Sequence, residues 1–324
     1  MADIVCLGEL LVDMSSQEVG VSLQDAYTFE KNPGGAPANV AVGCVSMGAS
    51  AALVTKVGDD SFGRYLTSVM RDADVDTSGI TMTPDYATQL AFVAIDRIGV
   101  PDFAFHVKDP AHEQLSPHEV NRQLIEDAMI FHFGSLSLIA EPARSATLEA
   151  IDIAAQAGLL ISFDPNYRPT LWPDDDAAYD AIAETVELCD VLKVNENEMT
   201  LLTGTDDPHD GLRALWDMGP ELVSVTLGPD GCAYTAGGSV DAIDGIEVRV
   251  VDTTGCGDAF VAATLVWLGR SEQDLSELTG KQLYDLYSHA NAAGALAAIH
   301  TGAIPSMPTW SDIELLLSHS SAGG

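Results

Sequence analysis

The sequence predicts an α/β fold with three layers, in which a mainly parallel sheet lies between helices and a small second β-sheet projects from this body. Three observations support the prediction. Strand-like and helical runs alternate regularly after residue 128, a hairpin-like segment at 88–107 interrupts that rhythm, and a glycine-rich loop precedes an apolar helical run within 251–264. With 324 residues, the chain is long enough to bury a substantial core.

The alternation after residue 128 predicts βαβ units and therefore a parallel sheet covered by helices. The strand-like runs are Ala128–Phe133, Leu159–Phe163, Val191–Val194 and Leu222–Leu227. The helical runs between and after them are Pro142–Ala157, Ala177–Leu188, Glu196–Leu202 and Gly211–Asp217. Ile4–Leu7 and Ala51–Val57 predict two more strands of the sheet, whose ligands should gather at the carboxyl ends of the strands.

The segment 88–107 predicts a β-hairpin outside this alternation. Gln89–Ile95 and Phe103–Val107 are strand-like, and Arg97–Pro101 has the composition of a turn. With residues 10–32 it would form the second sheet, although an ordinary edge of the main sheet is the alternative. The predicted division is a core of 1–9, 33–86 and 109–324 and a second sheet of 10–32 and 87–108.

Residues 251–264 predict the end of a strand, a tight loop and the start of a helix. β-type residues at 246–250 lead to Gly255-Cys256-Gly257, and an apolar helical run follows Asp258. The unpaired N–H groups at a helix N-terminus attract anions, phosphate above all. A carboxylate beside them suits a hydroxyl that loses its proton while it attacks phosphorus. The alternative is that Asp258 only stabilises the helix dipole.

The charge balance limits the classes of partner. The chain has 49 acidic and 14 basic residues, a formal net charge of −35, so nucleic acid and anionic membranes are poor partners. The acids are scattered, which we interpret as a surface suited to concentrated salt; an ordinary acidic cytosolic enzyme is the alternative.

The first residues do not resemble a signal peptide, no apolar run is long enough to span a membrane, and the five cysteines lack a C-x-x-C pair. We therefore expect a cytoplasmic protein with reduced thiols.

Two further stretches place polar groups where ligands should gather. Gly34 and Gly35 would let the backbone approach a ligand whose hydroxyls Asn39 could bind, although a helix-opening turn is the alternative. Arg168, shortly after the strand that ends at Phe163, could neutralise a phosphate or a substrate carboxylate. The nearby prolines also fit a structural turn.

Two common nucleotide motifs are missing. The chain has no G-x-x-x-x-G-K-[ST] sequence, and Gly255-Cys256-Gly257 lacks the third glycine of a dinucleotide fingerprint. These differences disfavour a P-loop enzyme and a Rossmann oxidoreductase.

Five motifs, in one order, resemble those of the PfkB (ribokinase-like) carbohydrate kinases. They are the glycine stretch at 33–39, the run at 163–172, N-x-x-E at 195–198, the loop at 226–231, and D-T-x-G-A-G-D at 252–258, where Cys256 replaces the usual small residue. The resemblance implies a ribokinase-like three-layer fold with a β-sheet lid, ATP and Mg²⁺ as cofactors, an activating K⁺, and lids that pair in a homodimer.

The resemblance also implies a role for individual residues. Asp258 would be the base, and Gly255, Cys256 and Gly257 would form the anion hole. The implied sugar contacts are Asp13, Gly34, Gly35, Asn39, Phe105, Asp164 and Arg168. The implied nucleotide contacts are Asn195, Thr226, Gly228, Gly231 and Asn291. Glu198 would hold Mg²⁺ through water, and the implied monovalent-cation site consists of Asp252, Thr254, Ala297, His300, Gly302 and Ser306.

Within this family the runs at 131–139 and 141–146 look most like fructokinases, so fructose is the expected substrate. Alternatives are 2-keto-3-deoxygluconate, phosphorylation of fructose at C1, and another sugar or nucleoside. The lid departs from fructokinases at 106–108, and His112 stands where they often have Asp; we interpret His112 as a surface histidine. Outside kinase chemistry, a non-catalytic sugar or nucleotide sensor and an oxidoreductase are the rival functions.

Overall fold

The computed structural model of the protein describes residues 2–18, 20–95, 101–271 and 273–321. The strands, in chain order, are β1 Ile4–Leu7, β2 Leu11–Ser16, β3 Phe29–Gly34, β4 Ala51–Gly58, β5 Ile80–Thr83, β6 Leu90–Ile95, β7 Pro101–Phe105, β8 Ile130–Gly134, β9 Leu160–Asp164, β10 Val191–Asn195, β11 Leu222–Thr226, β12 Gly231–Ala236 and β13 Ser239–Asp244. The α-helices are α1 Ala36–Ser46, α2 Ser61–Asp72, α3 Arg122–Glu126, α4 Ala143–Ala157, α5 Asp175–Val186, α6 Glu196–Thr203, α7 Pro208–Trp216, α8 Cys256–Ser271, α9 Gly280–Ala297 and α10 Trp310–Ser321.

The main sheet has nine strands in the order β13-β12-β11-β10-β9-β8-β1-β4-β5. The strands from β11 to β5 run parallel, whereas β12 is antiparallel to both of its neighbours. The parallel strands bring the residues that follow them to one edge of the sheet. The predicted parallel sheet is confirmed, and its helices lie within a few residues of the predicted runs.

Helices cover both faces of this sheet, as three layers require. In β1, Ile4 and Cys6 belong to one hydrophobic cluster and Val5 and Leu7 to a second, so the strand is buried on both sides. The first cluster includes residues of α1, α2, α8 and α9, and the second includes residues of α4, α5, α6 and α7. No helix among the described residues is long and apolar enough to cross a membrane.

The second sheet consists of β3, β2, β6 and β7, in that order. β6 and β7 pair antiparallel, as the hairpin prediction requires, and the central β2–β6 pair is parallel. The predicted turn at 97–101 lies, except for its last residue, outside the described residues. Pro33 and Gly34, which the predicted division assigned to the core, belong to this sheet because they pair with Val12 and Leu11.

The strand predicted before the glycine loop is wrong. Residues 245–250 have no regular secondary structure, and Val250 and Val251 are 56% and 58% exposed. The apolar residues of this segment alternate as in a strand, but β13 is the edge of the sheet, and among the described residues no strand lies beyond it. The Val251 N–H instead donates to the Ala298 carbonyl after α9, at 2.8 Å.

Candidate active site

The site is built around Asp258 in the first turn of α8. Its side chain is buried, with the residue 7% exposed, and accepts a hydrogen bond from Asn39 Nδ2 at 2.8 Å. Asn39 lies on α1, so the packing of α1 against α8 joins two residues 219 positions apart. Asn166 Nδ2, after β9, donates to the other Asp258 oxygen at 3.5 Å. The chain thereby brings two predicted residues, Asp258 and Asn39, into direct contact.

The environment of Asp258 favours a role in proton transfer. Burial raises its pKa to about 6, against the lowering effect of the Asn39 hydrogen bond. Asp164 adds to the rise, whereas Lys193 and Arg168 oppose it. A carboxylate with a pKa near the working pH is ionised yet able to take a proton, which is what a general base needs.

The predicted anion hole lies where the loop meets α8. Gly255 has φ +83°, and a side chain there would overlap Ala303, so the turn requires glycine. The Gly255 carbonyl accepts the Ala259 N–H at 2.8 Å and closes the first helical turn. The Cys256 N–H donates to the Thr253 carbonyl at 3.3 Å, so a phosphoryl oxygen would have to compete with that bond. The Cys256 thiol is half-buried, and burial raises its pKa to about 11, so it is neutral.

The predicted sugar-binding glycines lie between the two sheets. Gly35 has φ +108° at the start of α1, and a side chain there would overlap the Glu9 carbonyl. A side chain at Gly34 would overlap the Asp13 carboxylate. Asp13 is half-buried, and burial raises its pKa to about 7, against the effect of the Arg168 charge. Glycine is therefore needed at both positions to keep space beside this carboxyl group.

Phe105 lies in register with Asp13 across the second sheet. Asp13 is opposite Ala91, and Ala91 is opposite Phe105, while Asn32 is opposite Asp13 on the other side. Residues in register project from the same face of a sheet. Phe105 and Asp13 therefore share a face, as a common role at one ligand would require, and Asn32 joins them there.

Asp164, predicted to contact the sugar, is buried and bonds to two protein groups. The residue is 3% exposed, its Oδ2 accepts from Lys193 Nζ at 3.0 Å and its Oδ1 from the Asn166 N–H at 3.1 Å. Both oxygens thus bond to protein groups, each with a further lone pair, and the contact with the sugar stays a prediction. Arg168 is half-buried and donates to the backbone carbonyls of Asn166 and Tyr167.

The N-x-x-E motif forms the start of α6. Asn195 caps this helix, its Oδ1 accepting the Glu198 N–H at 3.0 Å, while Glu198 Oε2 accepts the Asn195 N–H at 2.8 Å. Glu198 Oε1 accepts the Tyr167 N–H at 2.8 Å. Burial raises the pKa of Glu198, with Lys193 opposing that effect. Lys193 thus interacts with three buried carboxyl groups, those of Asp164, Glu198 and Asp258.

The predicted nucleotide residues follow β10 and β11, at the same edge of the sheet. Thr226 ends β11, opposite Asn195 at the end of β10. Gly228 has φ +57° and open space where a side chain would be, whereas a side chain at Gly231 would overlap the Ile243 carbonyl. Asn291 on α9 is 9% exposed and donates to the Asp244 carbonyl at 2.9 Å, which ties α9 to the end of β13.

The predicted monovalent-cation residues come from two segments that contact each other. Asp252 Oδ2 accepts the Gly302 N–H at 2.9 Å, and its Oδ1 accepts from the Thr254 N–H and hydroxyl. The Ser306 hydroxyl donates to the Ala303 carbonyl at 2.7 Å. The remaining two members, Ala297 and His300, precede Gly302 in the same segment. The donor set is a carboxylate, hydroxyls and backbone carbonyls, which are the oxygen ligands that a hard cation takes.

Sequence reasoning missed three polar residues of the site. Glu9 is 4% exposed and follows β1, Lys193 lies inside the buried strand β10, and Asn166 contacts Asp258. An ionisable residue at the end of a buried strand, or within it, was the available signal. The interpretation of His112 as a surface histidine is wrong, because it is 8% exposed and its burial lowers its pKa to about 4.

Comparisons with known proteins place this geometry in one family. Residues 1–310 match the pfkB family carbohydrate kinases. Fructokinase-1 from Oryza sativa subsp. japonica is 45% identical over 316 residues, 97% of this chain and 96% of that protein. Fructokinase with bound ATP from Xylella fastidiosa has a TM-score of 0.90 at 30% identity, covering 99% of this chain and 100% of that one. A double-mutant fructokinase from Vibrio cholerae O395, in its fructose, ADP and potassium ion bound form, has a TM-score of 0.87 at 31% identity, with 98% of each chain covered. This chain belongs to the pfkB family of carbohydrate kinases.

Proposed function

We propose that the protein transfers the terminal phosphoryl group of ATP to a hydroxyl of fructose. The observation that carries the proposal is the buried Asp258 carboxyl group, fixed by Asn39 and Asn166 in the first turn of α8. The similarity to fructokinases across nearly the whole chain supports fructose as the substrate.

Fructose would lie between the start of α1 and the face of the second sheet that carries Asp13. Asn39 Oδ1 is buried and has no hydrogen-bond partner among the described residues, so it can accept from a sugar hydroxyl. Asp13 would accept from others, with Phe105 beside it. The second sheet would act as a lid that excludes water and so limits hydrolysis of ATP.

Asp258 would accept the proton of the attacking hydroxyl. Phosphoryl transfer passes through a loose transition state, so the hydroxyl needs positioning and late proton removal more than a strong base. The amides of Gly255, Cys256 and Gly257 would stabilise the charge that builds on the transferred group. The nucleotide phosphates would extend towards Asn195, Thr226 and Gly228.

Two cations complete the proposal. Glu198 would hold hydrated Mg²⁺, which screens the charge of the ATP phosphates. K⁺ at the site formed by Asp252 and its neighbours would order the 252–257 loop; the potassium-bound fructokinase supports this choice. We also propose a cytoplasmic location, where ATP is supplied, and a homodimer through the second sheet, which light scattering can test.

The charges around the sugar position favour a neutral sugar over 2-keto-3-deoxygluconate. Asp258, which is ionised above its pKa of about 6, interacts with the Arg168 guanidinium and offsets its positive charge, and Glu9 and Asp13 interact with the same guanidinium. A substrate carboxylate would enter a site with an excess of acids. We expect the specificity constant for fructose to exceed that for the keto acid; a tenfold preference for the keto acid would overturn the choice.

The test of the base is Asp258→Asn. Asparagine keeps the shape and loses the proton acceptor, so turnover with fructose, measured by coupled ADP release in KCl, should fall by ~10²–10⁴-fold. The matched control is Asp210→Asn, an exposed acid in the first turn of α7, which should leave turnover unchanged. More than about a tenth of wild-type turnover in the Asp258 variant would refute the assignment. Phosphorus NMR of the product identifies the hydroxyl that is phosphorylated.

A further inference from the structure

Lys193 is a buried lysine that none of the roles above uses. It lies in the middle of β10, the residue is 9% exposed, and its Nζ donates to Asp164 Oδ2 at 3.0 Å. Charged groups are rarely buried unless they are paired, because removing them from water is costly. The structure therefore holds this ammonium group at a defined place inside the protein.

Lys193 Nζ lies next to the first turn of α8. A Cβ atom added to Gly257 would lie 3.1 Å from Lys193 Nζ. The ammonium group is thus next to the residue that precedes Asp258, at the N-terminus that forms the anion hole. A side chain at position 257 would push the lysine away from α8.

A chain of contacts leads from Lys193 to Asp258. Lys193 fixes Asp164 Oδ2, and Asp164 Oδ1 accepts the Asn166 N–H at 3.1 Å. Asn166 has φ +46°, a left-handed conformation that a non-glycine residue rarely adopts, and this hydrogen bond supports it. In that conformation Asn166 Nδ2 donates to Asp258 Oδ1 at 3.5 Å.

We propose that Lys193 is a positioning residue, which holds Asp258 for proton transfer through Asp164 and Asn166 and keeps it ionised by its charge. The inference rests on the proposed function, since it assigns Asp258 as the base. Lys193 would thus act on the Asp258 carboxylate in two ways, by fixing its position through Asp164 and Asn166 and by favouring its ionised form through its charge.

The charges around Lys193 and Asp258 determine whether the lysine raises or lowers the pKa of Asp258. Burial lowers the pKa of Lys193, but Asp164, Glu198 and Asp258 outweigh it and raise the pKa, so the lysine is charged. Its charge lowers the pKa of Asp258, whereas Asp164 raises it. His132 on β8 also faces Lys193, and its burial lowers its pKa to about 4, so it is neutral. The other ionisable groups that act on Asp258 are Glu9, Asp13, Arg168 and Cys256.

The test is the dependence of kcat on pH in a cycle of three variants. In Lys193→Met the acid limb of kcat should move up by ~1 pH unit, because a positive charge near Asp258 is lost. In Asp164→Asn it should move down, because a negative charge is lost. In the double variant it should return near the wild-type position, since one charge of each sign is gone.

The size of the change in turnover completes the test. Turnover of Lys193→Met per folded molecule, at saturating fructose and Mg-ATP and at the pH optimum, should fall at least about tenfold, and the KM values should change much less. If Lys193→Met does not fold, Asp164→Asn, which keeps the lysine, and the double variant, which removes Asp164 together with the lysine, still give the comparison. The asparagine introduced by Asp164→Asn would still offer an amide oxygen to the Asn166 N–H.

The outcomes separate this inference from the proposed function. If the acid limb of kcat lies at the same pH in the wild type and in every variant that folds, Lys193 only stabilises the fold. Unchanged turnover per folded Lys193→Met molecule would lead to the same conclusion. If Asp258→Asn keeps its turnover, the base assignment fails whatever the lysine variants do. Loss of turnover in Asp258→Asn with no shift in the lysine variants overturns the inference alone.

Discussion

Glu9 carries a pH-dependent cost to stability that a single substitution should remove. The residue follows β1, is 4% exposed, and its Oε1 accepts the Ala36 N–H at 2.8 Å at the start of α1. Burial raises its pKa from 4.5 to about 7, against the lowering effect of that hydrogen bond and of Arg168. Glutamine at position 9 keeps an oxygen for the Ala36 N–H and has no charge to bury.

The sign and size of the effect follow from the two pKa values. The folded protein holds the Glu9 proton up to about pH 7, whereas the unfolded chain releases it near 4.5, so stability falls as the pH rises through that window. The difference of about 2.5 units corresponds to roughly 3 kcal/mol above pH 7 as an upper bound. At pH 5 the raised pKa of Glu9 lowers the free energy of unfolding by less than about 1 kcal/mol.

Urea unfolding of Glu9→Gln at pH 5 and pH 8, in one concentration of KCl, measures this difference. We expect a gain in the free energy of unfolding that is larger at pH 8 by about 1–2 kcal/mol. Glu221→Gln, at an exposed position, controls for the change of one unit in net charge. A gain at pH 8 no larger than that of the control would refute the argument.

Three further predictions concern the sugar site and the cations. Gly34→Ala should raise the KM for fructose at least about tenfold, because its methyl group overlaps the Asp13 carboxylate; Gly280→Ala, where the added carbon meets open space, is the control, and equal KM values would contradict the account. Because the pKa of Asp13 is about 7, kcat/KM for fructose should still rise between pH 7 and pH 8, where Asp258, with a pKa of about 6, is already ionised, and Asp13→Asn should lose that rise; a rise between pH 7 and pH 8 that persists in the variant would exclude Asp13 as its cause. At constant ionic strength, activity should be higher in KCl than in NaCl, whereas stability should increase with either salt because both screen the −35 charge; equal activity would exclude the specific site, and full stability in dilute buffer would exclude the adaptation to salt.

The elements that the sequence predicted well are those whose pattern is set by burial on two faces. β4 is buried at every position but Lys56, and its apolar run was sufficient to identify it as a strand. The segment 246–250 alternates apolar and polar residues, a pattern that also predicts a strand, yet it forms none. Whether a partner strand exists is a property of the whole sheet, and no local pattern contains it.

In the site, too, the sequence predicted which residues come together, whereas their roles depend on contacts made in the folded protein. The motifs placed Asp164, Glu198 and Asp258 at one edge of the sheet, and each of them is buried there. Their roles differ because of the groups that already occupy their oxygens. Glu198 accepts two backbone N–H groups, and Asp164 accepts one backbone N–H group and the lysine.

Within the part of the chain that the structure describes, Asp258 alone among these three accepts only from side-chain amides, those of Asn39 and Asn166. An amide side chain can rotate as a substrate enters, whereas a backbone N–H group, in the loop after β9 or at the start of α6, cannot move without moving the chain around it. Asp258 is therefore the carboxylate of the three that can exchange a protein donor for a sugar hydroxyl at little structural cost. The hydrogen bonds that decide this come from α1 and from the loop after β9, which are distant in sequence from α8 and meet it only in the folded protein.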